Sequence, residues 1–201
     1  MVSLEHYYTE SPSSLPRLGL IRCKLRGLDL EFLTASGVFS YRNIDAGTSL
    51  LVEAMILPEN GRVLDLGCGY GVIGIAAARL NPSLEVWLTD VNERAVLLAY
   101  ENVKRNRVRN ARVLRGFLYE ALEGTLFNAI LTNPPISAGL RVLERLVEGS
   151  LAHLKMGGSL QMVVRTNKGG RQAARMLEDH YGGFEVIARR GGYRVLKAER
   201  G

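Results

Sequence analysis

From residue 61 onward, short apolar runs typical of buried strands alternate with segments of helical periodicity or with turns. The strand-like runs are RVLDLG (62–67), EVWLTD (85–90), ARVLRG (111–116), NAILTN (128–133) and SLQMVV (159–164). This alternation predicts a mostly parallel sheet with helices on both faces, because parallel strands need crossover helices. Two later runs, FEVIARR and YRVLKAE, are separated only by Gly191 and Gly192, too little chain for a crossover. They predict a C-terminal antiparallel hairpin.

The chain before this alternation has a different pattern. The segment IRCKLRGLDLEFLTASGVFSY (21–41) has short β-prone runs interrupted by Gly27 and Gly37, and it predicts two or three antiparallel strands. In AGTSLLVEAMIL (46–57) the apolar residues recur at helical intervals, and the pattern stops before Pro58. We therefore expect a small N-terminal β extension over residues 1–45 and a main α/β domain over residues 46–201.

Length and composition agree with one α/β domain and a small appendage. A chain of 201 residues with 47% apolar residues can bury one sizeable core and is short for two domains. Neither a secretory signal nor an apolar run of the roughly 20 residues that span a bilayer is found, so we expect a soluble cytoplasmic protein that does not bind membranes. Cys23 and Cys68 are far apart and share no metal-ligand spacing with the histidines, so neither a disulfide framework nor a metal site is expected.

Positive charge is concentrated in the second part of the chain. The net charge is +6, with five Lys or Arg against seven Asp or Glu in residues 1–60, and 21 against 13 in residues 61–201. The densest run, KRNRVRNARVLR (104–115), contains no acid, and we expect Lys104, Arg105, Arg107 and Arg109 to bind the phosphates of RNA. The alternative is a solvated helix end, where cations complement the negative pole of the helix.

A glycine-rich turn follows the first strand-like run. VLDLGCGYGVIG (63–74) is typical of a strand, a turn and a helix start, and Gly67, Gly69 and Gly71 let a ligand approach bare backbone. Asp90 follows Gly69 by 21 residues, at the end of the next strand, where a carboxylate can bind both hydroxyls of a ribose. Capping of the next helix is the alternative role of Asp90. The glycine pattern alone does not separate a nicotinamide cofactor from S-adenosylmethionine.

Asp65 favours S-adenosylmethionine. A carboxylate just before the glycines would repel a pyrophosphate but suits the cationic amino group of a methionine moiety. The alternative is a carboxylate that stabilises the turn by accepting backbone N–H groups.

The segment ILTNPPI (130–136) ends another predicted strand. Pro134 and Pro135 hold Asn133 extended at the carboxyl edge of the sheet, where doubly wound folds bind ligands. An amide oxygen and carbonyls at this edge can orient an exocyclic amine so that its lone pair faces a methyl donor. No strong general base is required, since the donor is a cation. Together with the glycine turn, this segment predicts methyl transfer to an amine.

These motifs resemble those of class I S-adenosylmethionine-dependent methyltransferases that act on amino groups. More narrowly, SGVFSYRNIDAGTSLL (36–51), TNPPISAGLRVLERLVEGSLAHLKMGGSL (132–160) and GGYRVLKAER (191–200) are similar to the small-subunit ribosomal RNA guanine-N2 methyltransferases, and most similar to short archaeal single-domain members. Bacterial members of that family carry an additional N-terminal domain. The resemblance implies a doubly wound, Rossmann-like, mostly parallel seven-stranded sheet that ends in the antiparallel hairpin.

The resemblance also implies roles for individual residues. The target amine would be held by Asn133, Pro134, Pro135 and Ile136. The cofactor would be bound by Asp65, Gly67, Cys68, Gly69, Tyr70, Gly71, Asp90, Val91, Phe117, Leu118 and Asn133. Phe39 and Tyr41 would either close over the cofactor or base or pack the N-terminal sheet onto the core.

Two positions depart from the family pattern. Phe117 stands where many relatives have an acid that accepts a hydrogen bond from the cofactor adenine, so we expect apolar and backbone contacts to the adenine. Ile136 stands where a Tyr or Phe usually stacks on the flipped base, so stacking has to come from elsewhere.

The sequence thus predicts methyl transfer from S-adenosylmethionine to an exocyclic amine of an RNA base, with guanine N2 of small-subunit ribosomal RNA as the leading substrate. Adenine N6, a transfer RNA guanine and a protein glutamine are alternative acceptors with the same chemistry. A nicotinamide-dependent oxidoreductase and a non-catalytic RNA-binding module are the alternatives from other functional classes. The oligomeric state is left open, with a monomer favoured.

Overall fold

The computed structural model describes residues 15–135 and 139–201, and it arranges them as two sheets with five helices. In chain order the elements are β1 (Leu18–Leu25), β2 (Leu28–Ala35), α1 (Ala46–Ala54), β3 (Gly61–Leu66), α2 (Val72–Leu80), β4 (Leu84–Asp90), α3 (Glu93–Arg105), β5 (Ala111–Arg115), β6 (Phe127–Thr132), α4 (Leu140–His153), β7 (Leu154–Arg165), α5 (Gly170–Tyr181), β8 (Glu185–Arg190) and β9 (Tyr193–Glu199).

The main sheet has seven strands in the order β5-β4-β3-β6-β7-β9-β8. Strands β3 to β7 pair in parallel, and β9 is antiparallel to both β7 and β8. The predicted doubly wound sheet with a C-terminal antiparallel hairpin is therefore confirmed. The winding reverses between the neighbouring strands β3 and β6, and the chain leaves their carboxyl ends in opposite directions. This reversal opens a crevice at that edge of the sheet.

Helices cover both faces of the sheet, as the strand alternation predicts. One apolar core packs α1, α2 and α3 against one face, and a second packs α4 and α5 against the other. Successive residues of β3 show the alternation, since Val63 belongs to the first core and Leu64 to the second. Among the described residues, no helix combines the length and apolar character needed to cross a membrane.

The N-terminal segment forms two strands. β1 and β2 pair antiparallel from Leu18 opposite Ala35 to Leu25 opposite Leu28, and the turn between them uses positive φ angles of 45° at Arg26 and 80° at Gly27. The hairpin packs on α3 through two buried asparagines, Asn102 within the helix and Asn106 at its C-cap. Asn102 Oδ1 accepts the Leu33 N–H at 2.7 Å and Asn102 Nδ2 donates to Leu33 O at 2.9 Å, and Asn106 pairs in the same way with Glu31. The free edge of β2 is thus paired by side chains.

Helix α1 is shorter than its apolar pattern predicts. It ends at Ala54, and residues 55–57 are not helical. The side chain of Gln161 explains this end, because its Oε1 accepts the Ile56 N–H at 2.8 Å and its Nε2 donates to Ile56 O at 2.7 Å. The buried amide of Gln161 therefore forms the hydrogen bonds that the N–H and C=O of Ile56 would otherwise form within a longer helix.

Candidate active site

A mostly apolar cavity of about 290 Å³ lies at the carboxyl ends of β3, β4, β5 and β6, at the reversal of the winding. The residues that line it are 38–40, 45, 48, 66–70, 72–73, 89–91, 95, 116–118, 133–135, 142 and 146. The glycine turn, the end of β4, the end of β5 and the Asn-Pro-Pro segment therefore meet around one space. A cavity of this size is near the lower end of the range for small-molecule sites.

The glycine turn lines one side of the cavity. Gly67 and Gly69 have positive φ angles of 72° and 56°, and there is open space where a side chain on either would project. The N–H groups of Gly67 and Cys68 each donate to Thr89 O at 2.9 Å, which ties the turn to β4. Gly71, with φ 96°, precedes α2 and does not line the cavity. The turn therefore exposes bare backbone at its first two glycines.

Asp90 ends β4 and lines the cavity beside this turn. Its Oδ2 accepts the Gly69 N–H at 2.8 Å, and its Oδ1 accepts the Asn92 N–H at 2.9 Å. Burial raises the pKa of Asp90, whereas the N–H groups of Asn92, Gly69 and Val91 act to lower it. Asn92 is the residue that caps α3, since its side-chain oxygen accepts two N–H groups of the first turn. The Asp90 carboxylate is thus held in one orientation, with acceptor capacity left for a ligand hydroxyl.

Asp65 lies within β3 and does not line the cavity. Its side chain is fully buried on the α2 side of the sheet, where Oδ2 accepts the Gly74 N–H at 2.7 Å and Oδ1 has no partner among the described residues. Burial raises the pKa of Asp65 to about 7; the Gly74 N–H opposes this rise and the charge of Asp90 adds to it. The hydrogen bond of Asp65 is therefore to the first turn of α2, because the alternation of β3 points its side chain toward that helix. Its expected part in cofactor binding stays a prediction.

Asn133 follows β6 and lines the cavity with Pro134 and Pro135. Its Nδ2 donates to Asp45 Oδ2 at 3.1 Å and to Thr48 Oγ1 at 2.9 Å. A carboxylate only accepts hydrogen bonds, so the nitrogen of the amide, and not its oxygen, must face Asp45. Both hydrogens of the amide are thereby engaged, and its oxygen is the group left to accept a hydrogen bond from a ligand.

Sequence reasoning missed Asp45 and Thr48 as partners of this amide. Asp45 caps α1 by accepting the Thr48 N–H at 3.0 Å, and its Oδ1 accepts the hydroxyl of Tyr193 at 3.4 Å. The signal that could have found Asp45 is its type and position, since an aspartate directly before a helical pattern is a strong N-cap. Its pairing with Asn133, 88 residues away, has no local signal.

Apolar side chains complete the cavity. Phe117 and Leu118 follow β5 and line it, and the guanidinium of Arg145 lies over the Phe117 ring at 5.1 Å from the ring centroid. Phe39 also lines the cavity and is 37% exposed. Tyr41 is not among the lining residues, and its carbonyl accepts the Thr34 hydroxyl at 2.7 Å. Phe39 thus faces the cavity, whereas the Tyr41 ring lies against the Arg42 guanidinium, 5.4 Å from the ring centroid.

The remaining turn residues that were expected to bind the cofactor also line the cavity. Cys68 and Tyr70 are buried, and Val91 is half-buried. The Tyr70 ring packs on Phe32 at 5.8 Å between centroids, and burial raises the pKa of its hydroxyl. Ile136 lies outside the described residues.

The cations that were expected to bind RNA lie at the opposite edge of the sheet. Helix α3 begins beside Asp90 and ends at Arg105, and the following Asn110 donates from its side chain to Leu84 O, at the start of β4, at 2.9 Å. Residues 104–109 are therefore about 20 Å from the cavity, the length of α3 or of β4. This placement separates the run from the cavity, because a helix that starts at the carboxyl edge of a parallel sheet carries its last turn to the other edge. That these four cations bind RNA phosphates stays a prediction.

Residues 29–197 match the family model described as Methyltransferase small domain. The chain belongs to this family. It is 37% identical over 198 residues to the Bacillus subtilis (strain 168) protein named "Uncharacterized protein YbxB", with 98% of each covered. It is 34% identical to the "Ribosomal RNA small subunit methyltransferase C" of Hamiltonella defensa subsp. Acyrthosiphon pisum (strain 5AT), with 85% of this chain and 50% of that protein covered.

A solved structure shows the same fold. It is the "T. Thermophilus 16S rRNA N2 G1207 methyltransferase (RsmC) in complex with AdoMet and Guanosine", with a TM-score of 0.81 and 30% identity, covering 94% of this chain and 51% of that one. The chain thus spans about half the length of the ribosomal RNA methyltransferases it matches. The relative of matching length is bacterial, whereas the sequence resemblance pointed to short archaeal members. The prediction of a class I methyltransferase is confirmed, and the nicotinamide-dependent oxidoreductase is not supported.

S-adenosylmethionine is the methyl donor of this fold, and the residues of the cavity fit it. Gly67 and Gly69 leave room for its methionine part, and Asp90 presents a carboxylate suited to ribose hydroxyls. Phe117 offers an apolar surface for the adenine.

Proposed function

We propose that this chain methylates an exocyclic amine of a base in small-subunit ribosomal RNA, guanine N2 in particular. The observation that carries the proposal is the arrangement of Asn133. Its amide nitrogen is engaged by Asp45 and Thr48, and its oxygen remains as an acceptor at the cavity. An acceptor there selects for a substrate group that has a hydrogen to donate, as the N–H of an amine has.

The chemistry follows from this acceptor. When bound, S-adenosylmethionine supplies an electrophilic methyl group on a sulfonium cation. The Asn133 oxygen accepts one N–H of the amine and so turns the nitrogen lone pair away from itself, toward the methyl group. Pro134 is buried and has no N–H, so the backbone here offers carbonyls without a competing donor at that residue. The N–C bond forms as the S–C bond breaks, and the amine proton passes to solvent.

The RNA substrate is supported by the relatives. Two of them are named as methyltransferases of small-subunit ribosomal RNA, and the second of these is named for guanine N2 of 16S rRNA. The net charge of +6 suits a polyanionic substrate. Adenine N6 and a glutamine side chain present the same N–H to Asn133, so the experiment has to identify the product.

The test is nucleoside mass spectrometry of an unmodified small-subunit ribosomal RNA transcript after incubation with the chain and S-adenosylmethionine. We expect N2-methylguanosine. Methylated adenosine would refute the proposed substrate. So would unchanged RNA together with methylated glutamine in a parallel reaction with a release factor.

Replacement of Asn133 tests the assigned role directly. Asn133→Ala removes the acceptor, and we expect kcat to fall about 100-fold or more, because losing one preorganised polar group has this size of effect. Calorimetric affinity for S-adenosylmethionine should change little. An Asn133→Ala enzyme with full turnover would show that another group orients the amine.

A further inference from the structure

A second set of cations lies on the same edge of the sheet as the cavity. Residues 165–177 and 186–198 contain no acid, and they meet where β7 ends and the β8–β9 turn begins. The exposed cations of this edge, here called the edge surface, are Arg165, Lys168, Arg171, Arg189 and Arg190.

The sheet register places the edge surface close to the cavity. Thr132, next to Asn133, pairs with Met162, and β7 continues in the same direction to Arg165. β9 and then β8 follow at about 5 Å per strand, so Arg190 lies about 15 Å across the sheet from the end of β6. The N–H of Thr166 donates to Gly192 O at 2.9 Å, which joins the loop after β7 to the hairpin turn.

The cations of the edge surface are available to a ligand. Among the described residues, none of the five forms an ion pair with a carboxylate. The acids of α5 and β8 lie at the far ends of those elements, with Glu178 and Asp179 in the last turn of α5 and Glu185 at the start of β8. Asp45, at the start of α1, reaches this edge but is engaged by Thr48, Asn133 and Tyr193.

The basic run at residues 104–115 has a different environment. Lys104 pairs with Glu101 and Arg105 with Glu31, while Arg112 and Arg115 pair with acids of β4 and α3. These pairs reduce the charge that this run offers to phosphates. The first six residues of this run, 104–109, also lie at the edge of the sheet opposite the cavity.

The edge surface is connected to the target site by direct contacts. The Arg165 guanidinium lies over the Tyr193 ring, 5.6 Å from its centroid, and the Tyr193 hydroxyl donates to Asp45, which also accepts from Asn133. The ring packs so closely on Gly47 that a Cβ there would lie 2.9 Å from Tyr193 Cδ1. Arg165 and the target-binding amide are therefore held in a fixed relation.

The loop after β7 adds polar groups between these cations. Thr166, Asn167, Gly169, Arg171 and Gln172 line a depression at the start of α5. Side-chain hydroxyls and amides beside arginines are the groups that bind phosphates and riboses in nucleic-acid complexes.

We propose that the edge surface binds the sugar–phosphate backbone of the substrate RNA next to the nucleotide whose base enters the cavity. This inference rests on the proposed function, because it takes the substrate to be RNA. The backbone contacts position the strand, while the cavity and Asn133 select the amine.

Two double variants test the surface, Lys168→Ala with Arg171→Ala and Arg189→Ala with Arg190→Ala. The matched control is Arg107→Ala with Arg109→Ala, which removes the same charge from exposed positions at the opposite edge. The probe is the unmodified small-subunit ribosomal RNA transcript, with Kd measured by filter binding at about 50 and about 200 mM salt. Affinity for S-adenosylmethionine, measured by calorimetry, reports that each variant is folded and has an intact cavity.

Each surface variant should raise the Kd for the transcript about tenfold at low salt, because two phosphate contacts are lost. The increase of Kd between the two salt concentrations should be roughly sevenfold smaller than in the wild type. The control should match the wild type. Surface variants that bind the transcript like the wild type, or a control that alone loses affinity, would overturn the proposal that the edge surface binds RNA.

The two proposals fail in distinguishable ways. Normal methylation of the transcript by the wild type, together with unaffected surface variants, refutes the edge surface and leaves the proposed function intact. A wild type that neither binds nor methylates the transcript refutes the proposed function and the edge surface together.

Discussion

Replacing Asp65 by asparagine should change how the stability of the chain depends on pH. The side chain is fully buried, and its pKa is raised from 3.8 to about 7. The folded chain therefore holds this proton more tightly than the unfolded chain does. The contribution of Asp65 to the free energy of unfolding is therefore largest below pH 3.8, falls as the pH rises toward 7, and levels off above it. The total loss corresponds to about 4 kcal/mol.

Asp65→Asn keeps the shape of the side chain and an oxygen that can accept the Gly74 N–H, but it cannot ionise. We compare the free energies of unfolding in urea, without cofactor, at about pH 5 and about pH 8. Between these two pH values the variant's free energy of unfolding should rise by about 3 kcal/mol relative to that of the wild type. The comparison uses the change with pH, so a constant effect of the new amide on packing cancels. If the difference between the two proteins were the same at both pH values, Asp65 would not titrate in this range and the reasoning from its burial would be wrong.

Two further substitutions test packing around the site, both by urea unfolding. Gly74→Ala should lower the free energy of unfolding by about 1–3 kcal/mol, because the new Cβ would lie 2.6 Å from Leu88 Cγ, and wild-type stability would show that the core has room there. Asn102→Ala leaves the N–H and carbonyl of Leu33 and the carbonyl of Tyr70 without this partner, and should cost about 2–3 kcal/mol. A loss below about 0.5 kcal/mol would mean that water replaces the amide.

Elements with a strong periodic pattern could be predicted from the sequence, because their cause is local. The parallel strands alternate with helices, and the hairpin follows from two strands with only Gly191 and Gly192 between them. The end of α1 could not be predicted, because Gln161 on a distant strand terminates it. The sequence predicts two or three N-terminal strands, and the structure has two, because Gly37 marks a turn without showing whether a strand follows.

The site shows the same division. The positions of Gly67, Asp90 and Asn133 follow from their places at strand ends, which all reach one edge of a parallel sheet. The orientation of Asp65 required the strand register, which decides the face that a residue occupies. The location of the basic run required the direction of α3, since charge along a sequence carries no information on which edge of the sheet it reaches.

The buried amide of Asn102 joins the N-terminal hairpin to the glycine turn, so we expect the hairpin to respond to cofactor binding. Its oxygen accepts from Leu33 of β2, and its nitrogen donates both to Leu33 O and, at 2.9 Å, to the carbonyl of Tyr70 in the glycine turn. A ligand that suppresses local opening of the turn therefore also restrains β2, which does not line the cavity. The amide hydrogens of β2 should exchange with solvent more slowly when the donor is bound.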